Sequence, residues 1–320
     1  MKLGLALKPH LWSDERLTMA AQFGCESIVA WVPLPEGDGV WHRAALDTLK
    51  QQVNRHGMEL AAIENFHPGH WDHIVLGEEG RERQMENIRQ TIRNAGEVGI
   101  PCFGYSFSVC GVQGYYTEHG NRDGRGMSSI KRFDAAKVPT DRPGNQEFWF
   151  NTTLERRDPD GLLPAVGEEE MWARLAWFLE RALPVAEGAG VTLCAHPDDP
   201  PIPFLRGMYR PLHSVEGLRK LIGLSDSPAH GLEFCQGTIS TMVDVDIYAV
   251  IEEFAAANRI GYVHFRNTSG KLPRYSEVFI DDGYVDMARA LQLYDRHGFT
   301  GTVIPDHTPV ISSQAPWECG

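Results

Sequence analysis

Short apolar runs alternate along the chain with longer stretches whose apolar positions recur every three or four residues. KLGLAL (2–7) leads into a stretch that Ser13 can cap, with Leu17, Ala20 and Ala21 on one face. SIVAWV (27–32) precedes a helix near 42–56. LAAIEN (60–65) precedes one in which Met85, Ile88, Ile92 and Ala95 keep helical spacing. PCFGYSF (101–107) reads as a fourth strand, and then the pattern breaks over 108–168, a stretch rich in Gly, Asp, Arg and Tyr. A loop that long inside a compact domain is more often a functional lid than a plain connector. The alternation resumes with a helix carrying Trp172, Leu175, Ala176, Leu179 and Leu183. VTLCAHPD (191–198), GLEFCQG (231–237), IGYVHFRN (260–267) and GTVIPD (301–306) follow, with helices near 245–257 and 284–297 between the later ones.

Eight strand-plus-helix units without a break in composition predict one α/β domain over 1–320, a closed parallel (β/α)8 TIM barrel with an inserted lid or loop region at 108–168. A doubly wound open sheet is the alternative. No GxGxxG follows any strand, which weakens a dinucleotide-binding version of it. No helix candidate follows the eighth strand, so the expected barrel lacks its final helix. Its seam is either left open or covered by a partner, a homodimer being one way to do so.

Composition narrows the partners. A chain of 320 residues, 42% hydrophobic, can bury a barrel-sized core. A formal net charge of -13 leaves no overall basic footprint for nucleic acid or an anionic membrane surface, so small molecules are the expected partners. The opening MKLGLALKPHLW is too short in apolar length for a signal-peptide core and no later run approaches a membrane span, which makes the cytoplasm the default location. The six cysteines, Cys25, Cys102, Cys110, Cys194, Cys235 and Cys319, form no CxxC pair and lack the density of a disulfide scaffold.

The ends of the late strands carry the candidate chemistry. His196 ends the fifth, Cys235 the sixth, His264 the seventh and Asp306 the eighth. In a barrel all C-terminal strand ends open on one mouth, so residues far apart in sequence can meet around one ion. A lone histidine or cysteine at a strand end is more often a structural group than a ligand; four ligand types in phase are hard to attribute to chance. Two imidazoles, a thiolate and a carboxylate suit a borderline divalent cation.

AHPDDPP, LEFCQGT, VHFRN, FIDDGYVDM and PDHTP, in this order over most of 190–309, make the chain resemble the mannonate dehydratase family. The resemblance implies a xylose-isomerase-like barrel that converts D-mannonate to 2-keto-3-deoxy-D-gluconate and water with Mn2+ or Fe2+, within hexuronate catabolism. It implies His196, Cys235, His264 and Asp306 as metal ligands, with Asp306 at the catalytic centre beside His307, which takes part in proton transfer. The chemistry is coherent: a cation neutralises enediolate charge on the substrate carboxylate while a group titrating near neutrality handles a proton. After the fourth strand, where the family carries a Trp-Thr-Arg core, this chain reads YSFSVCGVQGYYTEHG, leaving Arg122 or Arg125 of the insertion as replacements.

Remaining candidates concern the substrate. Arg266, on the face of His264, either meets the carboxylate as a bidentate donor or forms a salt bridge at the rim. Asp281 and Asp282 either bind hydroxyls or cap the next helix, with Asp282 the substrate-binding candidate. Lys8 and His10, and Glu64 with His67, reach the same mouth by topology, and Lys8 is the preferred contact among them. Asp198 and Asp199 either orient ligands or hydroxyls or simply solvate a turn. The competing functions are a divalent-metal keto-sugar isomerase or epimerase, a metal-dependent nuclease, and a barrel that binds a sugar acid without turnover. The acidic charge and the single compact ligand set weigh against the nuclease.

Overall fold

The computed structural model describes residues 1–34, 37–108, 110–119, 124–144, 148–149, 152–153 and 161–310. Eight parallel strands close into a barrel in unbroken chain order: β1 (Lys2–Leu7), β2 (Ser27–Trp31), β3 (Glu59–Glu64), β4 (Cys102–Tyr105), β5 (Thr192–Ala195), β6 (His230–Cys235), β7 (Ile260–His264) and β8 (Thr302–Ile304). The seam considered open from sequence is closed by β1 against β8, with Lys2 opposite Thr302 and Leu3 opposite Val303. No helix is described after β8, and 311–320 lie outside the described residues. Among the described residues, seven helices of eight residues or more pack outside: α1 (Asp14–Gln22), α2 (Arg43–Asn54), α3 (Arg81–Val98), α4 (Glu168–Ala189), α5 (Val215–Ile222), α6 (Ile247–Ala256) and α7 (Met287–Arg296).

Local chemistry accounts for these boundaries. Ser13 accepts a hydrogen bond from the Arg16 amide and starts α1 above Asp14 and Glu15, where negative charge suits a helix N-terminus. Met85, Ile88, Ile92 and Ala95 give α3 its buried stripe. A Cβ on Gly96 would lie 2.3 Å from the carbonyl oxygen of Ala189, so α3 and α4 approach too closely for any other residue there. The main core lies between strands and helices, and Val29, Ala62, Cys194, Tyr262 and Ile304 fill the barrel interior. Among the described residues, no helix is long and apolar enough to cross a membrane.

The 108–168 stretch is not a plain loop. Its strands Tyr115–Glu118 and Ile130–Asp134 join Arg274–Val278 and Asn267–Thr268, from the excursion after β7, in a four-stranded antiparallel sheet. Pairing sets Tyr115 opposite Phe133 and Phe133 opposite Tyr275. This small sheet roofs the C-terminal mouth.

Candidate active site

Register brings the late strand ends to one level: Cys235 lies opposite His264, and His264 opposite Ile304, two residues before Asp306. One ligand atom each from His196, Cys235 and His264 falls within 4.8 Å of the others. The Asp306 carboxylate is 3.4 Å from His264 Nδ1 and 4.0 Å from Cys235 Sγ. Buried His264 Nδ1 faces the Asp306 carboxylate, so the two donors converge on one space. The donor set therefore fits a borderline divalent cation. A second group, Glu64, Glu233 and His264, lies directly beneath, with His264 Nε2 2.9 Å from Glu233 and 3.2 Å from Glu64.

The charges set one another's protonation. Burial would raise the Cys235 thiol, yet the Arg266 guanidinium and His196 bring it down to about 6. Burial would lower His196, yet Cys235 and Glu233 push it up to about 9. The two therefore face each other as thiolate and imidazolium between those values. Burial and Glu233 raise Glu64, while Glu64, Glu233 and Asp306 hold His264 well above the usual imidazole range against its own burial. Asp306 stays well below the usual carboxylate range despite burial, because His307, His264 and Arg266 surround it.

Above this cluster lies a cavity of about 390 Å3 whose wall includes Lys8, Glu64, His196, Asp199, Asp306 and His307. Tyr115, Gln113 and Lys131 bound it from the roof, and Arg210 from the β5 exit. His196, Asp306, His307 and Lys8 thus stand where the sequence puts them, and Cys235 and His264 are buried in the floor. Lys8 carries its ammonium over the Trp31 ring, 5.4 Å from the centroid. His10 is exposed, and His67 accepts from the Gly69 amide as a local cap.

Two substrate-binding expectations change. Arg266 is fully buried and does not line the cavity; its guanidinium binds Asp199, Glu277 (3.1 Å), Thr238 (2.7 Å) and His307. The salt-bridge alternative is the observed one, in the floor rather than at a rim, because three carboxylates converge there with Asp306 3.5 Å away. Asp282 is exposed and off the cavity wall, Asp281 pairs with Arg125 (3.0 Å), and the cap of α7 is Asp286. Asp281 and Asp282 stand too far ahead of α7 to cap it. Arg122 and Cys319 lie outside the described residues.

AHPDDPP resolves into two unlike aspartates. Asp198 accepts from the Leu212 amide at 2.7 Å and sits 3.4 Å from Arg210, which fixes the loop. Asp199 faces the cavity and accepts from Arg266 and from Tyr115 (2.7 Å), with the Thr238 hydroxyl 3.1 Å away. Burial would raise its pKa, but Arg266, His307 and Tyr115 hold it well below the usual carboxylate range.

Sequence reading missed Glu233, Thr238, Glu277, Tyr115, Tyr275 and Arg210. Glu233 was legible: strand alternation sets it on the face of Cys235. The others sit on excursions whose course no periodicity announces.

A family model described as D-mannonate dehydratase (UxuA) matches residues 12–319. Mannonate dehydratase 2 of Halalkalibacterium halodurans is 32% identical over 296 residues, 90% of this chain and 85% of that protein. Mannonate dehydratase of Enterococcus faecalis is 32% identical over 291 residues, covering 85% and 79%. The crystal structure of mannonate dehydratase from Streptococcus suis serotype 2 superposes with a TM-score of 0.81 at 25% identity, covering 100% of this chain and 87% of that one. D-psicose 3-epimerase from Clostridium cellulolyticum H10 matches with a TM-score of 0.59 at 11% identity over 98% and 86%, a likeness of fold alone.

Proposed function

The chain belongs to the D-mannonate dehydratase family and is a hydro-lyase; from that premise we propose that it removes water from D-mannonate to give 2-keto-3-deoxy-D-gluconate at the β5–β8 end of the barrel. The observation that carries the reading is the meeting of His196, Cys235 and His264 within 4.8 Å, beneath a cavity that His307 lines. These three residues and Asp306 would hold a divalent cation, Mn2+ or Fe2+ by ligand type. When bound, that cation supplies Lewis-acid neutralisation of charge developing on the substrate carboxylate.

The chain's own groups supply the rest. Arg266 and the Glu277 carboxylate both lie against His307 Nδ1, which leaves Nε2 as the nitrogen free to exchange a proton. His307 Nε2 is thus the atom that exchanges a proton with substrate at the cavity wall. Arg266 and Glu277 fix the ring, and Asp306 stands 3.8 Å from Nε2. The roof sheet excludes water from the acidic α-carbon. An epimerase activity has only the barrel fold in its favour.

The test is incubation of protein loaded with Mn2+ or Fe2+ with D-mannonate, following 2-keto-3-deoxy acid. Formation of that product supports the reading, and its absence with both metals overturns it.

A further inference from the structure

Among the described residues, three Lys or Arg side chains line the cavity: Lys8, Arg210 and Lys131. Arg210 is already engaged by Asp198 and by the carbonyl oxygens of Asp199 (2.9 Å) and Gly111 (3.2 Å). Lys8 lies over Trp31. Lys131 differs: its ammonium is in no hydrogen bond or ion pair among the described residues.

Its position follows from strand pairing. Tyr115 lies opposite Phe133 and Thr117 opposite Lys131, so alternation puts Tyr115, Thr117, Lys131 and Phe133 on one face of the small sheet. That face looks into the barrel, because Tyr115 on it donates to Asp199 and its ring stands 6.1 Å from that of His307. The opposite face carries Arg132, satisfied by Glu118 (2.9 Å) and Ser276 (3.2 Å). Of these two, only the inward cation lacks a counter-charge among the described residues. The cavity's carboxylates do not provide one: Asp199 is taken by Arg266 and Tyr115, Glu64 by His264, and Asp306 by His264 and Arg266. A lysine held toward an enclosed space with no anion of its own is suited to an anion that arrives with the ligand.

We propose that Lys131 is a specificity-determining residue that receives the substrate's carboxylate from the roof, so that the lid selects sugar acids over neutral polyols. This rests on the sugar-acid reading above but not on any assignment of the proton-transfer group. Arg266, expected from sequence to hold the carboxylate, is spent in the floor, and Lys131 takes that role from the opposite wall.

The test uses metal-loaded protein carrying His307→Asn to stop turnover, with and without Lys131→Met, titrated with D-mannonate and with the neutral polyol D-mannitol. Melting temperature and metal content should not change with Lys131→Met, since the ammonium has no partner to lose among the described residues. D-mannonate affinity should fall by about 10- to 100-fold, the scale of one charge-assisted contact. D-mannitol affinity should stay within about twofold, and Lys131→Arg should restore most of the acid binding. Undiminished D-mannonate binding in Lys131→Met, or equal weakening of acid and polyol, overturns the proposal and leaves the dehydratase reading intact. If protein with an unaltered lid binds D-mannonate but wild type yields no product, the dehydratase reading fails and the Lys131 comparison still stands. If it binds no sugar acid at all, both fall.

Discussion

The floor and the roof of the cavity are built on opposite plans. In the floor, charged groups gathered just beyond the late strand ends touch several others each; Arg266 alone meets Asp199, Asp306, Thr238 and His307, and Glu277 reaches it from the roof strand Arg274–Val278. In the roof, aromatic rings provide the cohesion: Phe133 stacks on Tyr275 at 5.1 Å and tilts against Tyr115 at 5.2 Å. A floor that binds an ion must fix ligand positions closely, and barrel strands provide that rigidity. A roof that recognises a substrate needs shape and one or two polar contacts. Damage to the floor should therefore cost stability and metal together, whereas damage to the roof should cost selectivity.

Arg266→Met is the severest way to try that contrast. It leaves Asp199, Glu277 and Asp306 without their shared cation, and chemical denaturation should show a loss of about 3–5 kcal/mol. Lysine should rescue little, because one ammonium cannot span the partners of a guanidinium. A stability loss under about 1 kcal/mol would mean the floor is not held by this residue. Next comes Cys235→Ser, for which elemental analysis should find the metal depleted. Turnover should fall beyond the roughly 10- to 100-fold expected when only a supporting partner is lost. Full metal content would remove Cys235 from the ligand set.

Gly237→Ala probes the same floor by crowding. A Cβ there would lie 2.0 Å from Arg266 Cγ, so the arginine must shift, at a cost of about 1–3 kcal/mol measured by thermal unfolding. The protonation of the floor gives a milder test on metal-free protein. Cys235, lowered from 9.0 to about 6, contributes stability that is complete above the higher value and lost as pH falls through the lower. His196, raised from 6.5 to about 9, contributes stability that is complete below the lower value and lost as pH rises through the higher. Over the shared range the two slopes oppose each other, so melting temperature should stay nearly flat there, and Cys235→Ser, which removes the rising slope, should leave a curve that falls toward alkaline pH. The smallest effect belongs to the exposed margin: Asp282→Asn should change KM by less than about twofold and stability by under about 0.5 kcal/mol.

The same contrast decided what the sequence revealed. All eight barrel strands are apolar runs bounded by turn residues, and His196, Cys235, His264 and Asp306 could be placed because a barrel exit makes position along the chain a guide to position in space. Arg266 was set on the correct face, but its partners come from the exits of β5, β6 and β8 and from the roof strand Arg274–Val278, so its role was not readable. Glu64 stood among the weaker candidates because only the fold reveals Glu233 beside it. An inserted lid or loop region was expected at 108–168, but the roof's sheet escaped because its strands, Tyr115–Glu118 and Ile130–Asp134, carry many exposed and half-buried positions without a clean period, and half of the sheet comes from the far end of the chain.

That last point bears on the order of assembly. Tyr115 and Tyr275 meet across 160 residues of sequence, and Tyr115 seals the roof to Asp199 across 84. Most neighbouring barrel strands pair over shorter separations, the exceptions being β4 with β5 and the seam of β1 with β8, and contacts that close long loops carry the greater entropic cost. The roof, which lacks the helices that pack outside the barrel, should consequently form late and come away early under mild denaturant, leaving a chain with its ligand cluster assembled beneath an open mouth. Such a half-finished molecule would hold its ion before it could tell one sugar from another.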